Sequence, residues 1–336
     1  YLDLSRYNKA TTLLARALLE FGDNGQMALW HRHTSLAYAA VLTGVFGHAS
    51  VEFIAVLSGI AGPELSAWRF LLGGLGLVAL ALLSPTSRDL LTPLKTHFWP
   101  LMTLSLLGIT LAYLVFHWSL DFATIPQVAT AVTTIPIYVA LINMVVNKQP
   151  ISIAKVLSGI WAILGVALLI TDGYLTDLVS TSRNLLGVFM AVVCAAAVSA
   201  YSVLVRPIIV QYGALRITAI TMMIGGIGLW LLVGWAFHIW VTPTRLVELS
   251  VTSLVSLLVI ALWNTTITQF LWIGGLAALP DITRGSYLFF LKPVIAALLA
   301  VLILGQHITG VQILAIGVVC ASVFGEVFLA KRSGVA

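Results

Sequence analysis

The segment TTIPIYVAL at 133–141 recurs in altered form as FLKPVIAAL at 290–298. Its two prolines, Pro136 and Pro293, stand 157 residues apart, and at the same offset KQPIS at 148–152 aligns with GQHIT at 305–309. A glycine-containing hydrophobic stretch follows each loop. A period of this length predicts that the chain contains two copies of one structural unit.

The composition assigns the class of protein that the two copies form. The chain has 336 residues, 60% hydrophobic and 9% charged, with a mean hydropathy of +1.06. A soluble domain carries about 25% charged residues, so a soluble enzyme and a disordered chain are both excluded. The two cysteines, Cys194 and Cys320, lie in apolar runs and do not indicate a disulfide framework. The composition predicts a polytopic membrane protein.

Apolar runs predict ten spanning helices, since each crossing needs about 20 apolar residues. They lie near 35–60, 63–84, 98–120, 123–147, 152–172, 185–206, 213–238, 250–279, 282–304 and 308–330. The predicted fold is therefore all-α, with repeats at 35–172 and 185–330. Because each repeat has an odd number of helices, the second enters the membrane from the opposite side. Such inverted repeats place a substrate site at the midplane and support alternating access.

The basic residues orient the chain. Thirteen of the 17 Lys and Arg fall on the side of the N-terminus, at Arg6, Lys9, Arg16, Arg32, Arg88, Lys95, Lys148, Lys155, Arg206, Arg216, Arg284, Lys331 and Arg332. Arg183 and Arg245 fall on the other side, and Arg69 and Lys292 lie within spans. Because cytoplasmic loops collect basic residues, we expect a multi-pass protein of the plasma or inner membrane with both termini, including 331–336, in the cytoplasm.

The first 34 residues have a different pattern. Five residues recur there at spacings of three and four, namely Tyr7, Thr11, Leu14, Leu18 and Phe21. The pattern predicts an amphipathic cytoplasmic helix that lies on membrane lipids with its basic side chains toward anionic headgroups. A docking site for a protein partner and a tail ordered only in a complex are the alternatives.

Two regions of the sequence resemble a known family. The stretch GHAS at 47–50, continuing through Pro63 to AWRF at 67–70, is similar to the first hairpin of the EamA-type branch of the drug/metabolite transporter superfamily. The Pro136 and Pro293 segments resemble the two proline segments of that family. The resemblance covers 35–330 and implies a ten-helix transporter, usually an exporter of amino acids, other small metabolites or drugs. Where the family often has acidic residues, this chain has Gln149, Gln306 and Lys292.

Charged residues within spans are functional candidates, because burial in lipid is costly. Glu52 and Arg69 are expected about 12 Å and about 9 Å below the same membrane surface, so they can pair. The pair is either a fixed bridge or a coupling pair in which Glu52 exchanges Arg69 for a proton or a substrate ammonium. Lys292 is expected about 15 Å deep, near the midplane. It either attracts a carboxylate or phosphate in a cavity or bridges to Glu52.

Polar side chains on helical stripes complete the predicted substrate site. They are Gln127, Thr130, Thr134 and Tyr138 in the fourth span, His48 one turn from Glu52, Tyr113 and His117 in the third, and Asn264, Thr268 and Trp272 in the eighth. Hydrogen bonding between helices is the alternative for each Tyr, Thr and Trp. His48 is expected to be a neutral histidine with satisfied hydrogen bonds. The glycines at 73–76 and 225–228 predict close helix contacts.

The pattern favours a secondary transporter that exports an amino acid or other organic anion without a cofactor. Zinc chemistry is disfavoured because the sequence has no His-Glu-x-x-His motif, and magnesium chemistry because only one acidic residue lies well inside a span. We therefore expect no enzyme, no metal and no nucleic-acid partner. An exporter of cationic amines or drugs that uses Glu52, and a non-transporting membrane subunit, remain the alternatives.

Overall fold

The computed structural model describes residues 33–60, 62–119, 121–123, 125–174, 182–305 and 307–332, which contain helices and no β-strand. The long helices are α1 (Thr34–Ser58), α2 (Gly62–Leu83), α3 (Phe98–Ser119), α4 (Ile125–Val132 and Ile135–Asn147), α5 (Ile153–Thr171), α6 (Ser182–Leu204), α7 (Ala214–Phe237), α8 (Val251–Ala278), α9 (Ile282–Ser286, Tyr287–Leu291 and Lys292–Leu304) and α10 (Gly310–Arg332). Short helices at Leu91–Thr96, Arg206–Tyr212 and Pro243–Glu248 connect them. The predicted amphipathic helix at the N-terminus lies outside the described residues.

The helices have the length and composition of membrane spans. In the described part of the chain, nine are long and apolar enough to cross a membrane, and α10 has a shorter apolar segment at Gly310–Gly325. Large apolar side chains such as Leu302 and Leu83, 79% and 77% exposed, cover the outside of the bundle. Such a surface is unfavourable in water and suits contact with lipid. The predicted all-α membrane fold is therefore confirmed.

Local signals place the helix ends at matching positions in both repeats. Ser152 Oγ accepts from the N–H of Lys155 at 3.3 Å, and Thr309 Oγ1 accepts from the N–H of Gln312 at 3.2 Å. Lys148 and Gly305, which follow α4 and the last segment of α9, both adopt left-handed backbone conformations. Each of these pairs is separated by 157 residues, so the offset read from the sequence also describes the backbone.

Helix packing follows a two-fold pattern. α2 packs against α7 and α5 against α10, while α1 against α8 corresponds to α6 against α3. Hydrogen bonds repeat the correspondence, because Thr110 Oγ1 donates to the carbonyl of Gly225 and Thr266 Oγ1 donates to the carbonyl of Gly73, both at 2.9 Å. The equivalent positions differ by 156 residues between α3 and α8 and by 152 between α2 and α7.

The predicted glycine contacts lie where these helices cross. A Cβ atom at Gly73 would stand 2.5 Å from Thr265 Cβ, and one at Gly225 would stand 2.5 Å from Ile109 Cγ2. Both distances are far shorter than van der Waals contact, so a side chain at either position would force the helices apart. Glycine at 73 and 225 therefore permits the α2–α8 and α7–α3 crossings.

The backbone is irregular in four of the long helices. α3 and α8 contain π-helical turns at Leu106–Leu111 and Ile260–Ile267, and α9 contains a 3-10 segment before Pro293. The fourth span, predicted near 123–147, contains a break, because α4 is interrupted at Thr133 and Thr134. Pro136 lacks an N–H donor, and the hydroxyls of both threonines bond to nearby backbone carbonyls at the break.

The two ends of the bundle carry different connections. We call the near end the one at which α4, α6 and α8 finish and α5, α7 and α9 begin, and the far end the opposite one. At the near end Arg206, which follows α6, donates to the carbonyls of Ala277 and Leu279 at 3.2 and 2.6 Å. At the far end the carboxylate of Glu64 in α2 contacts Arg245 at 2.9 Å.

Candidate functional site

Arg69 occupies the centre of the polar interior. Its side chain is 8% exposed, and its Nε donates to Thr265 Oγ1 at 2.9 Å while a terminal nitrogen donates to the carbonyl of Asn264 at 3.4 Å. The guanidinium carbon lies 5.2 Å from the centre of the Phe70 ring and 5.9 Å from that of Tyr113. Aromatic faces stabilise a buried cation electrostatically. The helices α2, α3 and α8 together hold this positive charge inside the bundle.

Asn264 links α8 to α1. Its Nδ2 donates to the carbonyl of Gly47 at 2.5 Å and to Ser50 Oγ at 2.9 Å, and Trp263 Nε1 donates to the same hydroxyl at 3.2 Å. Asn264 Oδ1 and Thr268 Oγ1 are buried without a hydrogen-bond partner in the described part of the structure. A buried polar atom without a partner costs about 1–3 kcal/mol, so these two atoms are candidates for bonds made in another conformation or with a ligand.

His48 lies in an aromatic cluster formed with Trp272 and Phe289. The His48 ring centre is 5.9 Å from that of Trp272 and 5.7 Å from that of Phe289, and the last two rings are 5.2 Å apart. The expectation that the hydrogen bonds of His48 are satisfied is wrong, since its buried Nε2 has no partner among the described residues. The reason is that its neighbours here are aromatic rings. His48 also lies within electrostatic range of Arg69 and Lys292.

His117 and Tyr113 form interhelical connections. Ser66 Oγ lies 2.9 Å from Nδ1 and 3.1 Å from Nε2 of His117, and Nδ1 is also 2.7 Å from the carbonyl of Tyr113. Gln269 Nε2 donates to the Tyr113 hydroxyl at 3.1 Å. Sequence reasoning missed Ser66 and Gln269, although Ser66 stands three residues before Arg69 and Gln269 directly follows Thr268.

Part of the polar stripe predicted on α4 forms hydrogen bonds within that helix. The hydroxyl of Thr134 donates to the carbonyl of Ala131 at 2.5 Å, while Thr130 and Tyr138 are half-buried and Gln127 is 3% exposed. The helix itself packs against α6 and the beginning of α9. The break at Thr133 and Thr134 interrupts the helical phase of the stripe.

The other two charged candidates lie on α1 and α9. Lys292 is half-buried in the first turn of the last segment of α9 and lies within electrostatic range of His48 in α1 and Cys194 in α6. Glu52 follows His48 by one turn of α1, but its side chain is outside the described residues. The pairing of Glu52 with Arg69 or Lys292 therefore stays a prediction.

The two-fold relation gives the polar region a counterpart. We call the region around Arg69, Asn264 and Thr265 the polar lobe, and its equivalent around Thr221, Gly108 and Ile109 the tyrosine lobe. In the tyrosine lobe Tyr201 of α6 packs so tightly on α3 that a Cβ at Gly108 would lie 2.4 Å from Tyr201 Cβ.

The hydroxyl of Tyr201 lies 2.7 Å from Thr221 Oγ1, so this buried ring has a polar partner. Tyr113 and Gln269, which are equivalent at the offset of 156 residues, meet between the lobes and mark the position of the pseudo-two-fold axis. The equivalent positions of the two lobes thus hold Arg69 and Asn264 on one side, and Thr221 and Gly108 on the other.

Comparisons with known proteins agree with the two repeats. The sequence profile of the EamA-like transporter family matches residues 35–171 and 185–327. No protein with curated function matches the chain. A solved structure described as "Crystal structure of protein" is similar over 89% of this chain and 98% of its own, with 18% sequence identity and a TM-score of 0.74. At that identity the similarity concerns the fold alone.

Proposed function

Because the chain belongs to the EamA-like transporter family and spans the membrane as two EamA repeats, we propose that it exports a small organic anion, such as an amino acid, by alternating access. The family is one of transporters and not of enzymes. The positive charge of the interior supports an anionic substrate. Arg69 and Lys292 contribute two positive charges there, whereas Glu52 is the one acidic residue that the sequence places well inside a span.

The chemistry of the neighbouring side chains supports this assignment. The rings of Phe70 and Tyr113 lie against Arg69, and those of Trp272 and Phe289 lie against His48. Aromatic rings close to positive charge suit a ligand with an apolar part and a carboxylate or phosphate. We assign Lys292 to the anionic group of the substrate. The further proposed contacts are His48, Tyr113, His117, Thr130, Thr134, Tyr138, Asn264, Trp272 and Glu52. Glu52 and Arg69 form the proposed coupling pair, and a proton is the proposed coupling ion.

The topology that we propose is an inverted one. Ten crossings with both termini in the cytoplasm put the near end on the cytoplasmic side, where thirteen of the 17 basic residues then lie. Five crossings in each repeat make the second repeat upside down relative to the first. The two-fold packing of α1 on α8 and α6 on α3 supports this relation, and rocking of such repeats around a fixed site is the expected transport motion.

A binding screen tests the proposal. The purified protein is heated with amino acids, organic acids, phosphorylated sugars and amines, and its melting temperature is recorded for each compound. We expect one class of anion to raise the melting temperature of the wild type and to lose that effect in Lys292→Met. Bound ligand stabilises the native state by mass action, so the shift rises with ligand concentration.

A second variant separates the anion from the amine. Glu52→Gln removes the acidic group without changing the size of the side chain, and we expect it to bind the anion and to lose coupled transport while remaining folded. A melting shift caused only by amines and lost in Glu52→Gln would overturn the proposal in favour of a cation exporter.

A further inference from the structure

We infer that the ion pair between Lys155 and Asp281 is a latch that holds the near end of the transporter closed. Lys155 lies in the first turn of α5, in the first repeat, and Asp281 directly precedes α9, in the second. Lys155 Nζ lies 2.5 Å from Asp281 Oδ2, with the two side chains 13% and 25% exposed. The inference rests on the proposed alternating access, in which the two ends open in turn.

Neighbouring hydrogen bonds also cross the boundary between the repeats. The hydroxyl of Tyr287 in α9 donates to the carbonyl of Lys155 at 2.7 Å. Asn143 in α4 donates to Thr283 Oγ1 in α9 at 3.2 Å. Opening of the near end by separation of the repeats would have to break these bonds together, and the ion pair is the charged one among them.

The two-fold equivalent of the pair has no charge. Lys155 corresponds to Gln312, because Ser152 and Thr309 cap the two helices in the same way. At the same offset of 157 residues Asp281 corresponds to Thr124, which lies outside the described residues. An ion pair that only joined the repeats would be expected at both ends of the bundle. In the sequence, the charged residues of this pair occur at the near end, and their counterparts at the far end are uncharged.

The ion pair at the far end offers a matched control. Glu64 and Arg245 lie 2.9 Å apart, but their side chains are 26% and 50% exposed, so water screens them more than Lys155 and Asp281. The same carboxylate-to-amide change can therefore be made at both ends. Asp281→Asn is suitable because asparagine can still accept the bond that Asp281 receives from the N–H of Arg284 at the start of α9.

A thiol already present in the chain reports opening. Cys194 in α6 is 3% exposed and lies within electrostatic range of Lys292 and Tyr113, in the middle of the bundle. In a Cys320→Ser background, the rate at which a membrane-impermeant sulfonatoethyl methanethiosulfonate reagent modifies Cys194 measures how often water reaches the interior. Unfolded protein serves as the reference for full reactivity.

Loss of one partner of a buried pair is costly, and with the partial exposure here we expect Asp281→Asn to raise the labelling rate about tenfold. Lys155→Met should have a similar effect, and the double variant should exceed neither, because both changes break one interaction. Glu64→Gln should leave the rate at the wild-type value. An unchanged rate in folded Asp281→Asn and Lys155→Met, or an equal increase in Glu64→Gln, would overturn the latch.

The readout separates this inference from the proposed function. Cys194 labelling requires no substrate, so the latch is tested even when the transported compound is unknown. Faster labelling in Asp281→Asn together with the absence of any bound or transported anion would retain the latch and contradict the proposed substrate class.

Discussion

The polar lobe and the tyrosine lobe lie at equivalent helix crossings but have opposite chemistry. In both, a threonine of a π-helical turn donates to a glycine carbonyl across the crossing, through Thr266 and Gly73 in one lobe and Thr110 and Gly225 in the other. In the polar lobe α8 supplies Asn264, and α2 supplies the Arg69 guanidinium. In the tyrosine lobe a glycine stands in place of Asn264 and the ring of Tyr201 fills the space.

This difference shows that the close helix crossing does not depend on the polar groups of the site. Duplication supplied two copies of a close helix crossing, and the crossing depends on glycine and threonine in both. Among the described residues, the polar lobe has the charge of Arg69 and two buried polar atoms without a partner, Asn264 Oδ1 and Thr268 Oγ1, whereas the α7 helix of the tyrosine lobe has one such atom, Thr218 Oγ1. We therefore expect changes in the polar lobe to affect transport and changes in the tyrosine lobe to affect stability.

The largest effect should come from Arg69→Met. We expect it to lower the transport rate about a thousandfold, which corresponds to about 4 kcal/mol, since removal of one member of a buried charged network costs about 3–5 kcal/mol. Its counterpart Thr221→Val should keep transport within about twofold, because a buried neutral hydrogen bond is worth about 1 kcal/mol. The measurement is efflux of the anion found in the binding screen from proteoliposomes. Equal losses in both variants would contradict the comparison.

Tyr201→Ala should cause the largest loss of stability. Truncation of a buried aromatic residue to alanine costs about 3–5 kcal/mol, because the cavity closes only in part. Reversible unfolding in mixed micelles measures the change. Ser50→Ala in the polar lobe is the matched variant and should cost about 1 kcal/mol, as it removes an acceptor shared by Asn264 and Trp263. A stable Tyr201→Ala protein would show that the tyrosine does not support the lobe.

Because the two helix crossings are equivalent, we expect equal losses of stability when either of their glycines is replaced. Gly73→Ala and Gly225→Ala should each destabilise the protein by about 1–3 kcal/mol, since both added methyl groups meet a side chain of the crossing helix at 2.5 Å. Gly317→Ala in α10, where nothing lies within 4 Å of the added atom, is the control. A difference larger than about 1 kcal/mol between the destabilisation of the two variants would mean that the two helix crossings are not equivalent.

The smallest effect should be at the pseudo-two-fold axis. Tyr113→Phe removes the acceptor that Gln269 uses at 3.1 Å and should destabilise the protein by about 1 kcal/mol. Because the aromatic face toward Arg69 remains, the affinity for the anion in the melting screen should stay within about threefold. A loss of affinity above tenfold would place the Tyr113 hydroxyl on the substrate.

The sequence was sufficient for the larger architecture. Apolar runs of about 20 residues and the offset between Pro136 and Pro293 predicted the helices and the duplication, because lipid imposes a length and a composition on each span. The glycines at 73–76 and 225–228 predicted the crossings for a similar reason, since close approach of helices requires small residues.

The side-chain partners in the interior were harder to predict. Thr265 is 196 residues from Arg69, and Asp281 is 126 residues from Lys155, so no local pattern joins them. The role of Tyr201 likewise depends on Gly108 in a different helix. These features arise from tertiary contacts, which helical periodicity does not contain.

The wide turn in α8 also fixes which way the remainder of that helix faces. If 260–267 wound as an ordinary α-helix with no residue removed, everything beyond it would rotate by about 100°. Gln269 would then turn away from Tyr113, and Trp272 from His48 and Phe289, while the apolar length of the segment would not change. A protein wound in this way would still insert into the bilayer, but the contacts that α8 makes in the interior would be lost.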